Sequence, residues 1–181
     1  MRRENWLMVL ALPIAMPQVV REAWSAGASG AWEQSKFSAE AYTFKRPVRV
    51  PSDALQLLRN DGHVLSSLKT ENLKGDQLPI EWFTASEIHL DGPHEVDLLV
   101  MGVDRLRGAN VSPFWIFRKT PDGYQLVLNA PAHELEVLTT RSKGFRNIRA
   151  FSLTANTVLT ITYRFDGRQY QPQERKSEPV E

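Results

Sequence analysis

Four side chains with metal-ligand character fall within nine residues of one another: His89, Asp91, His94 and Asp97. Imidazole and carboxylate groups together suit zinc or a similar ion. Pro93 redirects the chain between them, so the spacing alone does not make the four converge. Two interpretations stay open, a metal-assisted hydrolase and a polar turn whose aspartates bond to local amides. We favour the turn and predict no metal and no cofactor.

Other signatures of catalysis are absent from the sequence. The chain has no cysteine, which excludes disulfides, thiolate metal sites and a lipid-modified cysteine. No serine lies in a Gly-x-Ser-x-Gly elbow, and the segment from Gly108 to Pro113 lacks the lysine and second glycine of a phosphate loop. The 22 basic and 21 acidic residues nearly cancel, so no overall field attracts nucleic acid. These features favour binding over catalysis.

Two surfaces are candidates for binding a partner. Alternation in a strand places Arg141 and Lys143 on one face, near Arg149, where an anionic polymer, an acidic protein or lipid headgroups could bind. The alternative, which we favour, is a solvated sheet surface. Aromatic side chains could stack on sugars, but we predict that they belong to the core; they are Trp82, Phe83, Phe114, Trp115 and Phe117.

The residues from 80 onward have the composition of β-structure. Asp122-Gly123 and Asp166-Gly167 predict two hairpins. The predicted strands are Asp97 to Val103, Phe114 to Lys119, Tyr124 to Asn129, Leu135 to Thr140, Asn147 to Leu153 and Val158 to Phe165.

The segment before these strands predicts helix. Ser52 is suited to cap a helix over 52–61 and Gly62 to end it, with His63 beside its negative end. Val64, Leu65 and Leu68 permit a second short helix.

The two ends of the chain predict export and disorder. Residues 1–28 combine Arg2 and Arg3, an apolar run too short to span a bilayer, and a small-residue cleavage site, which is typical of a signal peptide. After its removal no membrane span is expected, so we predict a periplasmic or extracellular protein. Residues 29–51 predict one or two short extended pieces, 52–171 a single β-rich domain, and 172–181 a disordered tail.

The β-rich part contains an apparent internal repeat. Gly92 and Asp97 precede one predicted strand, and Gly144 and Asn147 precede another. Ile88 to Val100 resembles the FG-GAP or VCBS repeat, whose acidic loop binds calcium in β-propeller blades. The positions that keep the pattern are Leu90, Asp91, Gly92, Asp97, Leu98 and Val100, and those that depart from it are His89, Pro93 and His94.

The resemblance implies a calcium-free relative, because calcium takes six to eight oxygen ligands and only two acidic positions remain. Two units cannot close a propeller. We therefore predict an α+β fold that is mainly antiparallel β, a compact sheet or sandwich of about six to eight strands with one or two short N-terminal helices. Its predicted function is binding a protein or glycan partner in the cell envelope. The alternatives are the metal-assisted hydrolase and a structural subunit that pairs its β edges.

Overall fold

The structure of the protein is a computed structural model that describes residues 34–41, 43–92 and 94–180. The predicted signal peptide lies outside these residues. Within them the chain forms ten strands, two α-helices and three short 3-10 helices. The strands are β1 (Lys36–Ser38), β2 (Pro47–Val48), β3 (Phe83–Ile88), β4 (Asp97–Gly102), β5 (Ser112–Thr120), β6 (Gly123–Ala132), β7 (Glu134–Ser142), β8 (Phe145–Leu153), β9 (Thr157–Phe165) and β10 (Tyr170–Pro179). The helices are α1 (Ser52–Arg59) and α2 (Gly62–Thr70).

The strands make two five-stranded antiparallel sheets. The first sheet has the order β2-β3-β4-β5-β6, and the second has the order β1-β7-β8-β9-β10. Each sheet is therefore a meander of four consecutive strands with one short edge strand added from the segment before α1. The predicted fold class is confirmed, with ten strands in place of six to eight.

One apolar core lies between the two sheets. It takes Leu99 and Ile116 from the first sheet and Leu135 and Ile148 from the second, with Phe37 of β1 closing one side. These residues alternate along their strands with residues of the opposite face, as the period of a β-strand requires. The two sheets therefore pack face to face as a sandwich.

A second core lies between the helices and the other face of the first sheet. Leu58 of α1 and Val64 of α2 pack here against Leu98, Trp115 and further residues of the sheet. All six positions of β4 are buried as a result. The five aromatic residues predicted to be core are all buried, which confirms that prediction; they are Trp82, Phe83, Phe114, Trp115 and Phe117.

The helices form where they were predicted, but their boundary differs. Pro51, not Ser52, is the N-cap of α1, and the helix ends at Arg59. Gly62 does not end a helix but begins α2, because the side chain of Asp61 accepts hydrogen bonds from the N–H groups of His63 and Val64. His63 therefore lies in the first turn of a helix, and the predicted interaction with a negative helix end is wrong.

The predicted hairpins are confirmed. β5 and β6 pair up to Thr120 and Gly123, and β9 and β10 pair from Phe165 and Tyr170. Gly123 and Gly167 have φ angles of 116° and 110°, which side chains rarely adopt.

The disordered tail predicted at 172–181 is wrong, because β10 continues to Pro179. An edge strand exposes one side of its backbone, so charged residues and prolines are tolerated there. A bulge between Pro172 and Glu174 accommodates the first proline. The β-structure thus runs beyond 52–171 in both directions, since β1 and β2 precede it and β10 follows.

Candidate functional site: a charged groove at one end of the sandwich

A groove of about 590 Å³ opens at one end of the first sheet. The β3–β4 loop supplies one side of it and the end of β5 supplies the other. These are neighbours because β4 and β5 are antiparallel, so the start of β4 meets the end of β5. We call this the charged groove; it is lined by Asp91, Glu95, Arg118, Lys119, Thr120 and Pro121.

The lining combines two carboxylates and two cations, and aromatic rings support the cations. The guanidinium carbon of Arg118 lies 4.8 Å from the centre of the Phe145 ring, and Lys119 Nζ lies 4.2 Å from that of Tyr124. Such cation–π contacts restrict where a long side chain points. The hydroxyl of Thr120 donates to the Gly123 carbonyl at 2.9 Å, which joins the groove to the hairpin turn.

Two buried polar atoms at the groove have no hydrogen-bond partner among the described residues. They are Oδ1 of Asp91 and Nε of Arg118, one acceptor and one donor. A buried polar atom without a partner costs about 1–3 kcal/mol. Both atoms are closed to solvent, so the folded domain carries this cost itself.

Asp97 lies under the groove and is 1% exposed. Its Oδ1 accepts from the N–H of Lys119 at 2.9 Å, and its Oδ2 accepts from the N–H of Leu90 at 3.2 Å. The pKa of this carboxyl is raised from 3.8 to about 6, mainly by burial and also by the charge of Asp91, against the lowering effect of the two N–H donors and Arg118. The fold therefore places a buried carboxyl group with a raised pKa between the two sides of the groove.

Leu90 joins the groove to the second sheet. Its carbonyl accepts from the N–H of Arg146 at 2.8 Å and from the guanidinium of Arg141 at 2.9 Å. Nearby, the hydroxyl of Tyr170 donates to the Arg146 carbonyl at 2.6 Å. Burial, followed by the charge of Asp97, raises the pKa of this tyrosine. The β3–β4 loop is thus held by both sheets.

The four proposed metal ligands do not form a metal site. Across the described ranges, no group of three or more histidine or acidic side chains is arranged to hold a metal ion. His89 Nδ1 hydrogen-bonds with the Glu95 carbonyl at 2.8 Å, and His94 is exposed. Asp97 binds backbone amides, as the alternative interpretation of this segment predicts. Of the four, Asp91 alone lines the charged groove.

The three proposed basic residues do not share one open face. Arg141 donates to the carbonyls of Leu90 and Gly144, at 2.9 and 2.6 Å. Arg149 lies 3.5 Å from Glu136 in an ion pair across neighbouring strands. Lys143 has a φ of 52° in the tight β7–β8 turn. Two of the three guanidinium and ammonium groups are therefore already engaged within the domain.

Sequence reasoning missed the basic side of the groove. Arg118 and Lys119 end a strand whose first six residues are all buried. Two cations directly after such an apolar run, just before the Pro121-Asp122 turn, are the signal that could have identified them.

Comparison with known proteins gives no assignment. No protein family matches the chain, and searches of curated proteins and of solved structures gave no match. In the part of the chain that the structure describes, no helix has the length and apolar character needed to cross a membrane.

Proposed function

We propose that the protein is a non-enzymatic binding domain whose charged groove takes a neutral, polyhydroxylated ligand, that is, a glycan. The observation that carries this proposal is the pairing of opposite charges in one groove, with Asp91 and Glu95 facing Arg118 and Lys119. Hydroxyl groups both donate and accept hydrogen bonds, so they can bond to carboxylates and to cations at once.

The balance of charge disfavours a strongly anionic ligand. Two carboxylates in the groove repel such a ligand as much as two cations attract it. A neutral sugar brings no uncompensated charge into a partly buried site.

We further propose that the ligand lies in the cell envelope. This part of the proposal is supported by the signal-like composition of residues 1–28. A β-sandwich exported in this way would present the groove to envelope glycans.

Titration calorimetry of the full chain with chitotriose, cellotriose and maltotriose tests glycan binding. Lys119→Gln removes one groove cation but keeps the N–H that Asp97 binds, so we expect affinity to fall about tenfold, the equivalent of one lost charged hydrogen bond. Lys176→Gln is the matched control, since Lys176 is exposed on β10 beside Glu174. No binding of any of the three sugars, or equal losses in both variants, would contradict the proposal.

The composition of β10 counts against self-assembly through this edge strand. β10 is one of the two edge strands of the second sheet, and its exposed side chains include Glu174, Arg175, Lys176 and Glu178. Charged residues on an edge strand oppose pairing with another sheet. A monomeric mass in solution is therefore expected, and a dimer lost on substituting β10 would contradict this.

A further inference from the structure

Asp97 connects the two sides of the charged groove. Its Oδ2 accepts from the N–H of Leu90, the residue before Asp91 on the acidic side. Its Oδ1 accepts from the N–H of Lys119 on the basic side. One buried carboxylate therefore sets the position of the acidic loop relative to β5.

We propose that Asp97 is a proton-operated clamp on the charged groove. When ionised it holds the β3–β4 loop against the end of β5, and when protonated it releases the loop. The clamp is a property of the fold, and its effect on a ligand rests on the function proposed above.

The chemistry of the carboxyl gives the direction of this change. An ionised carboxylate accepts hydrogen bonds at both oxygens, whereas a proton on one oxygen converts it into a donor. That donor would face an N–H group, which cannot accept. The bond from Leu90 is the longer, at 3.2 Å against 2.9 Å for Lys119, so we expect the Leu90 bond to weaken.

The released loop would stay attached to the second sheet. The Leu90 carbonyl keeps its bonds from the Arg146 N–H and the Arg141 guanidinium, neither of which involves Asp97. Loss of the Leu90–Asp97 bond therefore separates the acidic side from β5 while leaving the acidic side tied to β8. The distance between Asp91 and Lys119 across the groove is then no longer fixed.

Several ionisable groups surround Asp97. The test must distinguish the titration of Asp97 from the titration of these groups. The carboxylate of Asp91 and the guanidinium of Arg118 act on it directly, and burial raises its pKa to about 6. The hydroxyls of Tyr170 and Tyr124 experience its charge. Other ionisable groups of this region are the cations of Lys119, Arg141 and Arg146, and His89, His94 and Glu95 in the same loop.

Amide chemical shifts of the full chain, recorded from pH 4.5 to 8, test the clamp without any ligand. We expect the N–H signals of Leu90 and Lys119 to titrate together with a midpoint of about 6. The amides of Arg168 and Gln169 are an internal control, since they bind Asp166, whose pKa is lowered by these same bonds. The control amides should stay constant over this range.

Two variants assign the titration to its group. Asp97→Asn should abolish the midpoint, and His89→Gln should preserve it. A flat wild-type titration, a midpoint that survives Asp97→Asn, or one that disappears in His89→Gln would overturn the clamp. If Asp97→Asn does not fold, the wild-type titration and His89→Gln still decide the question.

Chitotriose affinity measured at pH 7.5 and pH 5 connects the clamp to the groove. At pH 5 about one-tenth of a group with a pKa of about 6 is ionised, so we expect roughly tenfold weaker binding. Equal affinity at both pH values would overturn the link to the groove. Absence of chitotriose binding at pH 7.5 would count against the proposed function, while the amide titration would still decide the clamp.

Discussion

The two sheets have the same strand order but different surroundings. The first sheet is covered on both faces, by the second sheet and by the helices, whereas the outer face of the second sheet meets solvent. Both sheets have a buried polar residue near the start of their third strand, Asp97 as the first residue of β4 and Asn147 as the third residue of β8. Asp97 binds two backbone amides of other segments, but Asn147 donates to the Thr140 hydroxyl and its Oδ1 has no partner among the described residues.

This difference shows which position of such a fold can accommodate a buried functional group. A repeated meander supplies two equivalent strand starts. Only the one beside the longer β3–β4 loop has backbone donors on two sides, so only there is a buried carboxylate accommodated. The charged groove forms next to it.

Removing an apolar side chain from each sheet should give the largest difference in unfolding free energy between the two sheets. Trp115→Ala in the first sheet opens a cavity and removes the bond from its Nε1 to Asp61 at 3.0 Å, and we expect a loss of about 3–5 kcal/mol in unfolding free energy. Leu153→Ala in the second sheet affects a side chain that is 36% exposed and should cost less than about 1 kcal/mol. Chemical denaturation measures both, and similar losses would contradict the layered arrangement.

The pH dependence of stability should differ between the two strand starts. Because the folded pKa of Asp97 is raised from 3.8 to about 6, the folded state binds its proton more tightly than the unfolded state does. The resulting contribution of Asp97 to stability is fully present below pH 3.8 and is lost as pH rises to about 6. The unfolding free energy decreases by about 3 kcal/mol over this range. Denaturation at pH 4 and pH 7 should show most of this decrease in the wild type and its absence in Asp97→Asn.

Asn147→Asp provides the reverse experiment in the second sheet. It places a carboxylate at a buried position where the structure describes one side-chain partner, Thr140. We expect this variant to be less stable than the wild type at pH 7 and to recover as pH falls. A variant with unchanged stability at pH 7 would show that the two positions are equivalent.

Substitution of the two hairpin glycines should give a smaller difference in stability between the sheets. Gly123→Ala and Gly167→Ala both force a side chain into an unfavourable conformation, at a cost of about 1–3 kcal/mol. A Cβ on Gly123 would also lie 2.9 Å from Oδ2 of Asp53, whereas nothing lies within 4 Å of one on Gly167. Thermal unfolding should therefore rank Gly123→Ala as the more damaging, and the opposite ranking would contradict the packing of α1 on the first hairpin.

Of these features, the exposed ion pair of the second sheet should contribute least to the unfolding free energy. The side chains of Arg149 and Glu136 are 47% and 24% exposed, and surface ion pairs contribute about 0–1 kcal/mol. Arg149→Gln should change the unfolding free energy by no more than this, as measured by chemical denaturation. A larger loss would mean that this face is part of an unrecognised contact.

The fold could be predicted from sequence where local patterns and tertiary packing agree. Trp115 and Phe117 lie on one face of β5 and Phe114 lies on the other. Burial of both faces of this strand could therefore be predicted from the sequence. β3 was missed because its Ala85 and Ser86 have little β preference, and its pairing with β2 and β4 decides its state.

The site was less predictable than the fold. The composition of the β3–β4 loop left a metal site open as the alternative to the polar turn that we favoured, because residue types alone do not show which way a side chain faces. Asp97 turns inward to Leu90 and Lys119, and the latter is 22 residues away in sequence. Contacts across that separation depend on the register of β4 against β5, which cannot be read from the local pattern of strands that are buried on both faces.

Mapping the amide shifts that chitotriose changes at pH 7.5 tests the central claim most directly. The account predicts that the changes concentrate in residues 90–96 and 118–121, around Asp91 and Lys119. Changes centred instead on the outer face of the second sheet, around Arg149 and Thr162, or no changes at all, would contradict it.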